Sequence, residues 1–446
     1  MNLVYGIKDK PKFGQVVLFA LQQLLAIMAA TIAVPAVVNS VTGSDMTASA
    51  ALFGAGVGTF VYLLFTKSKS PVFLGSSFAF LGPMFTAFGG AASMAVGYAG
   101  LIVGAAIAGL VYVIIAIVVK FCGVKWIDKL MPPVIIGPTV AIIGLSLAGN
   151  AIGDLQTSSV EGGSVYVCLI CGLVTLFVTV LVSTYGKKMA RLIPFIIGIL
   201  AGYACASIFA LIGKATGNPA FTVINYSALA SLSSVVALPE FSFLKADWSG
   251  INGSYLLTLF VAYAPVAFVV FAEHLADHKN LSSIVGVNLL EEPGLSRTLL
   301  GDGVGSFVGA IFGGCPNTTY GESIATVAIT RNASTVSIWG AAVACLIFSL
   351  ISPLVAFLET IPNCVMGGVC IALYGFIAAS GLKMLQPVDL NKNRNLFVAS
   401  VIFIVGVGGL VVNFGQVELR TVACALILGI LTNVMLSKEK DEGAAK

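Results

Sequence analysis

Long apolar runs dominate this sequence and recur from Phe13 to Leu436 with only short polar interruptions. A run of about 20 apolar residues is enough for a helix to cross a hydrocarbon core about 30 Å thick. Hydrophobic residues make up 58% of the chain and charged residues only 9%, whereas roughly a quarter of a soluble domain is charged. The sequence therefore predicts an all-α polytopic membrane protein, without a soluble domain of ordinary size between its spans.

The runs and breaks predict about fourteen membrane spans. Their expected bounds are 14–39, 46–66, 71–88, 92–120, 131–150, 166–184, 192–213, 254–274, 298–314, 320–331, 335–358, 363–382, 396–412 and 420–437. The first run is too long for a signal-peptide core and is expected to be retained. With this count and a cytoplasmic N-terminus, all of the 23 Lys and Arg residues except Lys214, Lys245 and Arg420 lie on the cytoplasmic side. Because basic residues concentrate in cytoplasmic loops, we expect both termini in the cytoplasm and the protein in the cytoplasmic membrane.

An internal resemblance links the fifth and twelfth spans. "MPPVIIGPTVAIIGLSLAG", from Met131, and "IPNCVMGGVCIALYGFIAASG", from Ile361, share a Pro, a Gly five residues later and small residues at intervals. A separation of seven spans inverts the second copy in the membrane, as in the inverted repeats of secondary transporters. The sequence therefore predicts a 7+7 inverted repeat, with repeats at 14–213 and 254–437.

Two spans are too broken to be continuous helices. The third, "PVFLGSSFAFLGPMF", carries glycines, serines and a proline, and the tenth follows "GGCPNTTYGES" at residues 313–323. Non-helical backbone at membrane depth is tolerated where it is buried in protein or lines a cavity. Short or broken segments at corresponding positions of the two halves indicate the substrate site of such transporters.

Acidic residues in or near apolar spans are rare and mark ion or substrate paths by default. This chain has four, and they are Glu273, Asp277, Asp302 and Glu322. Glu273 and Asp277 are four residues apart, so on a helix they share one face, with His274 and His278 on the adjacent face. A further motif, "GDGVGSFVG" at 301–309, lacks the GxxxxGK[ST] pattern of a phosphate loop, and its glycines with Gly313 favour close helix packing.

The stretch "FAEHLADHKN", residues 271–280, allows four interpretations. It could be a helix end with solvated charges, above all at Asp277, His278 and Lys279. It could hold a metal through His274 and His278, or belong to an intramembrane enzyme, but no HExxH pattern and no nucleophile signature accompanies it. The fourth interpretation is that Glu273 binds a substrate or a proton.

Three motifs carry a family resemblance: "GSSFAF" at 75–80, "AEHLADH" at 272–278 and "PNTTYGESIATVAITR" at 316–331. With them the chain resembles, over essentially its whole length, the uracil permease branch of the nucleobase/ascorbate transporter family. The resemblance implies a core domain (14–120 plus 254–358) and a gate domain (131–213 plus 363–437). It also implies short antiparallel strands in the third and tenth spans.

The same resemblance implies roles for individual residues. Glu273 and Glu322 match the glutamates that bind the nucleobase, and Gly321 and Phe78 match positions whose backbone amides meet its carbonyl groups. Tyr320 lies beside them, and either aromatic ring could stack on the flat base. One position departs from the pattern, because Asp277 stands where the best-known uracil permeases have a histidine.

The departure leaves open which group carries a coupling proton, and the candidates are Asp277, Glu322 and Asp302. The implied function is uracil import with a proton, without a resident cofactor or metal and without nucleic acid as a partner. Membrane lipid surrounds the protein, and a homodimer is a family-level expectation. The alternatives are another nucleobase such as xanthine or thymine, an inorganic anion, or an intramembrane enzyme.

Overall fold

The computed structural model describes residues 3–123, 126, 131–230, 232–414 and 417–438. Four lysines that the sequence places in the cytoplasm lie outside these residues, and they are Lys125, Lys129, Lys440 and Lys446. Helix makes up 76% of the structure.

The first half of the chain consists of helices, short connections and one short strand. Its elements are α1 (Phe13–Thr42), α2 (Ala48–Phe65), β1 (Leu74–Ser76), α3 (Leu81–Gly89), α4 (Met94–Cys122), α5 (Pro133–Ser146), α6 (Ala148–Gln156), α7 (Val165–Tyr185) and α8 (Pro194–Thr216). A single 3₁₀ turn, Phe78–Phe80, joins β1 to α3. The segment that leads to the second half carries two one-turn helices, α9 (Ser227–Ala230) and α10 (Ser242–Lys245).

The second half repeats the pattern of a strand beside a short helix. Its elements are α11 (Gly253–Val285), α12 (Leu295–Gly313), β2 (Asn317–Thr319), α13 (Gly321–Thr330), α14 (Thr335–Leu350), α15 (Ser352–Glu359), α16 (Asn363–Met384), α17 (Asn393–Val407), β3 (Val412–Phe414), β4 (Val417–Leu419) and α18 (Thr421–Met435).

Each of the predicted spans contains a helix, although not all of these helices are long. Among the described residues, eight helical stretches are long and apolar enough to cross a membrane. They are Phe13–Thr42, Ala48–Phe65, Met94–Cys122, Pro133–Gln156, Val165–Tyr185, Pro194–Thr216, Gly253–Val285 and Asn363–Met384. The prediction of a mostly helical, multi-pass membrane protein is confirmed, and the count of fourteen stays a prediction.

Several predicted boundaries differ from the observed helix ends, most clearly at the eighth and thirteenth spans. The eighth span was expected to end at residue 274, but α11 is one helix of 33 residues that ends at Val285. The side chain of Asn252 caps its start by accepting from the Tyr255 amide, and Gly286, at a φ of 73°, ends it in the left-handed region that glycine favours. The thirteenth span was expected to reach residue 412, but α17 ends at Val407 and the β3–β4 hairpin follows.

The two broken segments meet as a pair of short antiparallel strands, which confirms the strands expected in the third and tenth spans. Leu74 of β1 lies opposite Thr319 of β2, and Ser76 lies opposite Asn317. Neighbouring side chains complete the hydrogen bonding of this buried backbone. The Leu74 amide donates to the hydroxyl of Thr59 at 3.0 Å, as buried non-helical backbone in a membrane requires.

The helices pack in two groups. The first group contains α1–α4 and α11–α15, and the second contains α5–α8 and α16–α18. Glycines allow close contact in the first group, because a Cβ at Gly54 of α2 would overlap the carbonyl oxygen of Gly309 on α12. Gly305 and Gly313 face α2 in the same way, which confirms the packing role predicted for this glycine spacing. In the second group, α5 packs on α16, so the two stretches that resemble each other in sequence are neighbours.

Candidate functional site

A cavity of about 320 Å³ lies between the two helix groups and is lined by both. The first group contributes Ser77, Phe78, Ala79, Glu273, Asp277, Thr318, Thr319, Tyr320, Gly321, Glu322 and Ala325. The second group contributes Val140, Ile143, Phe195, Leu373, Phe376, Ile377, Ser380 and Met384. The cavity therefore has one polar wall and one almost entirely apolar wall.

One face of α11 supplies two carboxylates to the polar wall. Glu273 and Asp277 both line the cavity, as expected for residues one helical turn apart. The hydroxyl of Thr319 on β2 donates a hydrogen bond to Asp277 Oδ2 at 2.9 Å. This contact attaches the acidic face of α11 to the strand pair.

The start of α13 supplies the third carboxylate. The helix begins at Gly321, directly after β2, and Glu322 lies in its first turn. The amides of a helix's first turn have no partner within the helix and carry the positive end of its dipole, so they attract electronegative ligand atoms. The break between β2 and α13 thus places backbone donors and a carboxylate beside one another at the cavity.

The two predicted aromatic residues hold different positions. Phe78 begins the turn after β1, and its ring lies edge-on to Tyr374 of α16 with centroids 5.7 Å apart. Phe78 therefore spans the two helix groups at the cavity. Tyr320 lines the cavity as well, but its hydroxyl donates to the Ser76 carbonyl oxygen at 2.6 Å, which fixes the ring against β1.

Asp302 is the predicted site residue that lies outside the cavity lining. Its side chain is buried on α12, and its Oδ2 lies 2.6 Å from Nδ1 of His274. His274 and His278 are also fully buried, on the face of α11 that turns away from the cavity. The interpretation of Asp277 and His278 as solvated charges at a helix end is therefore wrong, because His278 is buried and Asp277 lines the cavity with a hydrogen bond from Thr319. Lys279, the next residue, is exposed.

The described cavity lining carries three acidic residues and no Lys, Arg or His. A ligand that fits this wall must present hydrogen-bond donors or positive charge to the carboxylates. Among the described residues there is no group of three His, Cys, Asp or Glu placed to hold a metal ion.

Sequence reasoning missed Thr319 and the whole apolar wall. Thr319 lies within the "NTTYGE" string, and the predicted site residues directly after it, Tyr320 to Glu322, could have indicated its place in the site. Phe195, Phe376 and Ser380 of the second group come from ordinary apolar spans, and nothing in their local sequence distinguishes them from lipid-facing residues.

A multi-pass helical bundle with paired broken segments and a central cavity between two helix groups defines a membrane transporter. Comparison with known proteins places the chain within that class. Residues 14–414 match the Permease family, the xanthine/uracil permeases, and the chain belongs to this family. It is a transporter and not an enzyme, and the predicted resemblance to the uracil permease branch is confirmed.

Similar proteins are found along almost the whole chain. The uracil permease of Bacillus caldolyticus is 38% identical over 441 residues, which cover 97% of this chain and 94% of that protein. The uracil permease of Escherichia coli (strain K12) is 37% identical over 428 residues, covering 95% of this chain and 92% of that protein.

A solved structure supports the fold alone. The transmembrane domain of the cyanobacterial bicarbonate transporter BicA superposes with a TM-score of 0.63 at 16% sequence identity. The match covers 96% of this chain and 99% of that one. At this identity the match shows a shared fold and does not indicate the cargo of the present chain.

Proposed function

We propose that this protein imports uracil together with a proton across the cytoplasmic membrane. The observation that carries the proposal is the placement of Glu273 and Glu322, from two different elements, on one wall of one cavity. The relatives named uracil permease, with which the chain aligns over nearly its full length, support the same cargo.

Uracil has the chemistry that this wall complements. Its ring carries N–H donors beside C=O acceptors, so its natural partners are carboxylates facing the N–H groups and amides facing the carbonyls. Glu273 and Glu322 supply the carboxylates, and the backbone at Gly321 and Phe78 supplies the amides. Stacking on an aromatic ring adds roughly 1–3 kcal/mol by analogy with other nucleobase sites, and Phe78 is placed for this contact.

A coupling ion follows from the charge of the cargo. Uracil is neutral near neutral pH, so the membrane potential concentrates it only if an ion travels with it. One proton moving through about 100 mV supplies about 2.3 kcal/mol, which corresponds to roughly fifty-fold accumulation. The acids that are candidates for the proton step are Asp277 and Glu322 at the cavity and Asp302 behind it.

We further propose that the chain has fourteen spans in a 7+7 inverted repeat, with both termini in the cytoplasm. The first helix group would act as the core domain (14–120 plus 254–358) and the second as the gate domain (131–213 plus 363–437). The pairing of β1 with β2 and of α5 with α16 supports a repeat. The two walls of the cavity then move relative to each other during transport. We also propose that the protein is a homodimer, as the family resemblance implies.

The cavity argues against the main alternatives. An inorganic anion, such as the one that BicA's name specifies, needs positive charge at its site, whereas the described lining holds three acids. An intramembrane enzyme is excluded by the family. Competition by unlabelled xanthine or thymine against the uptake of radiolabelled uracil distinguishes these cargoes from uracil.

The test is uptake of radiolabelled uracil by cells that lack their own uracil permease. Uptake is compared at two external pH values, with and without an uncoupler, and with excess unlabelled xanthine or thymine. We expect uptake that rises at acid pH, stops with the uncoupler and is unaffected by xanthine. Absence of uracil uptake would refute the cargo, and accumulation that persists with the uncoupler would refute proton coupling.

A further inference from the structure

Both ring nitrogens of His274 are held by one face of α12. Nδ1 lies 2.6 Å from Oδ2 of Asp302, and Nε2 lies 3.0 Å from Oγ1 of Thr298. Thr298 and Asp302 are four residues apart, so they project from the same side of the helix. All three side chains are buried, with exposures of 0%, 0% and 1% for His274, Thr298 and Asp302.

The hydroxyl of Thr298 has two alternative acceptors for its single proton. Oγ1 lies 3.0 Å from the Leu295 carbonyl oxygen and 3.0 Å from His274 Nε2. When His274 is neutral with its proton on Nδ1, Nδ1–H donates to Asp302 and the Thr298 hydroxyl donates to Nε2. When Nε2 is also protonated, Nε2–H donates to Oγ1 and the hydroxyl turns to donate to Leu295. Both states give a partner to each ring nitrogen and to the Thr298 hydroxyl, and only one hydroxyl hydrogen rotates, whereas the buried Oδ1 of Asp302 has no hydrogen-bond partner among the described residues.

The two states differ in net charge. Without the extra proton the pair carries the single negative charge of Asp302, and with it the pair is neutral overall. A buried charge is costly unless it is compensated, so the site favours proton uptake. Tyr112 of α4 lies edge-on to the His274 ring at 6.3 Å and brings no charge of its own. The charged groups of the cavity are Glu273 and Asp277 on the same helix and Glu322 on α13, and all are acidic.

His278 provides an internal comparison. Its ring stacks on His274 with centroids 4.0 Å apart, and its Nδ1–H donates to the His274 carbonyl oxygen at 2.8 Å. Its Nε2 lies 2.8 Å from the hydroxyl of Tyr62, which also lies 2.7 Å from Ser70 Oγ. His278 thus has a hydroxyl that can change direction, but its hydrogen-bond partners are neutral. The carboxylate of Asp302 is what makes His274 the better proton site of the two.

We propose that His274 and Asp302 together bind the co-transported proton, with Thr298 as the hydroxyl that accommodates both protonation states. The proton comes from water on one side of the membrane, adds to the pair at Nε2 and is released on the other side. His274 is adjacent in sequence to Glu273, so the charge of the pair changes the electrostatic potential at the cargo site. This inference rests on the proposed proton coupling and assigns it to the pair of His274 and Asp302.

The test compares Thr298→Val with Thr298→Ser in the full chain reconstituted into liposomes. The readouts are uracil counterflow, which moves no net proton, and uracil-driven proton movement followed with an internal pH dye. Valine cannot accept from Nε2–H, so the pH midpoint of proton movement should shift to the acid side by about one unit, the loss of a hydrogen bond to a charged group. Serine, and Tyr62→Phe beside His278, should leave the midpoint unchanged.

His274→Gln keeps hydrogen-bonding groups but cannot take up a proton. We expect this variant to retain uracil counterflow and to lose concentrative uptake. Equal pH midpoints for Thr298→Val and Thr298→Ser, or concentrative uptake by His274→Gln, would overturn the inference. Loss of counterflow together with uptake in His274→Gln would also overturn it, because the pair would then serve the cargo site itself.

Infrared difference spectra between acid and alkaline pH need no cargo and keep the two proposals apart. We expect an imidazole or carboxyl protonation band in the wild type that His274→Gln lacks. If this band is present but the wild type shows no uracil counterflow, the proposed cargo fails and the proton site stands. If the band is unaffected by His274→Gln, the proton site fails whatever the cargo is.

Discussion

The hydroxyl of Tyr320 donates a hydrogen bond to the main-chain carbonyl oxygen of Ser76 at 2.6 Å. The contact joins the end of β2 to the end of β1, and the Tyr320 ring lies directly over Gly75, where a Cβ would overlap it. The ring therefore holds together the two broken segments, whose residues line the cavity.

Tyr320→Phe removes this hydrogen bond and leaves a buried carbonyl oxygen without that donor. A lost hydrogen bond of this kind costs about 1–3 kcal/mol, so we expect a lower thermal midpoint in detergent and weaker uracil binding. Thermal unfolding and equilibrium binding measure the two effects. A variant as stable as the wild type that also binds uracil normally would contradict this role for the Tyr320 hydroxyl.

Glu273→Gln and Glu322→Gln test the carboxylates separately. Glutamine has nearly the same shape but replaces one acceptor oxygen with an N–H donor, which opposes an N–H of the base. Because hydrogen bonds to a charged group contribute about 1.5–3 kcal/mol, we expect each variant to bind uracil at least about tenfold more weakly. Isothermal titration measures the affinities, with thermal unfolding to show that each variant is folded. Wild-type affinity in a folded variant removes that glutamate from the site.

The local residue patterns predicted the broken segments well. Glycine, proline and serine in the third and tenth spans cannot maintain a helix in lipid, so the backbone had to find partners within the protein. The same reasoning failed at Asp277 and His278. Their charges suggested a solvated helix end, whereas Thr319 of β2 supplies a hydrogen-bond partner to Asp277 and Tyr62 of α2 supplies one to His278.

Other features have no local signal at all. The β3–β4 hairpin contains Val412 and Phe414, which continue an apolar run and therefore extended the predicted thirteenth span. The apolar wall of the cavity, including Phe195 and Phe376, depends on how the two helix groups pack. That packing is set by distant contacts, which a sequence pattern in one span does not contain.

Asp277 stands where the best-known uracil permeases have a histidine, and Asp277→Asn tests whether this acid binds the cargo or the proton. The amide oxygen of asparagine can still accept from the Thr319 hydroxyl, so the link to β2 is preserved. We expect uracil affinity to change by less than about tenfold and uptake to keep its pH dependence, because we place the coupling proton at His274 and Asp302. Binding and uptake across a pH series measure both. A pH-independent uptake in this variant would instead assign the proton to Asp277.

Close packing of α2 on α12 gives a prediction about stability. A Cβ at Gly54 would overlap the backbone of Gly309, which cannot move aside as a flexible side chain can. Gly54→Ala should therefore lower the thermal midpoint and reduce the folded yield, as overpacking typically costs 1–3 kcal/mol. Gly375→Ala in α16 is the matched control, because nothing lies within 4 Å of its added Cβ. Alanine has the higher helix propensity at both positions, so equal losses in the two variants, or no loss in Gly54→Ala, would show that the close crossing does not decide the outcome.

Outside the spans, Asp45 links the start of α2 to the segment before α11. Hydrogen bonds from Tyr98 at 2.7 Å and from Lys245 at 2.9 Å lower the pKa of Asp45 below its ordinary value of 3.8. Because the folded-state pKa is lowered, the stabilisation is present above about pH 3.8 and is lost as the pH falls through the folded-state pKa. Asp45→Asn should therefore lower the free energy of unfolding at neutral pH, by no more than about 1 kcal/mol for so exposed a pair. Thermal unfolding over a pH series measures the difference, which should vanish at strongly acid pH, and Tyr98→Phe should reproduce part of it. A difference between wild type and Asp45→Asn that persists unchanged below the folded-state pKa would mean that shape, and not the charge of Asp45, stabilises this link.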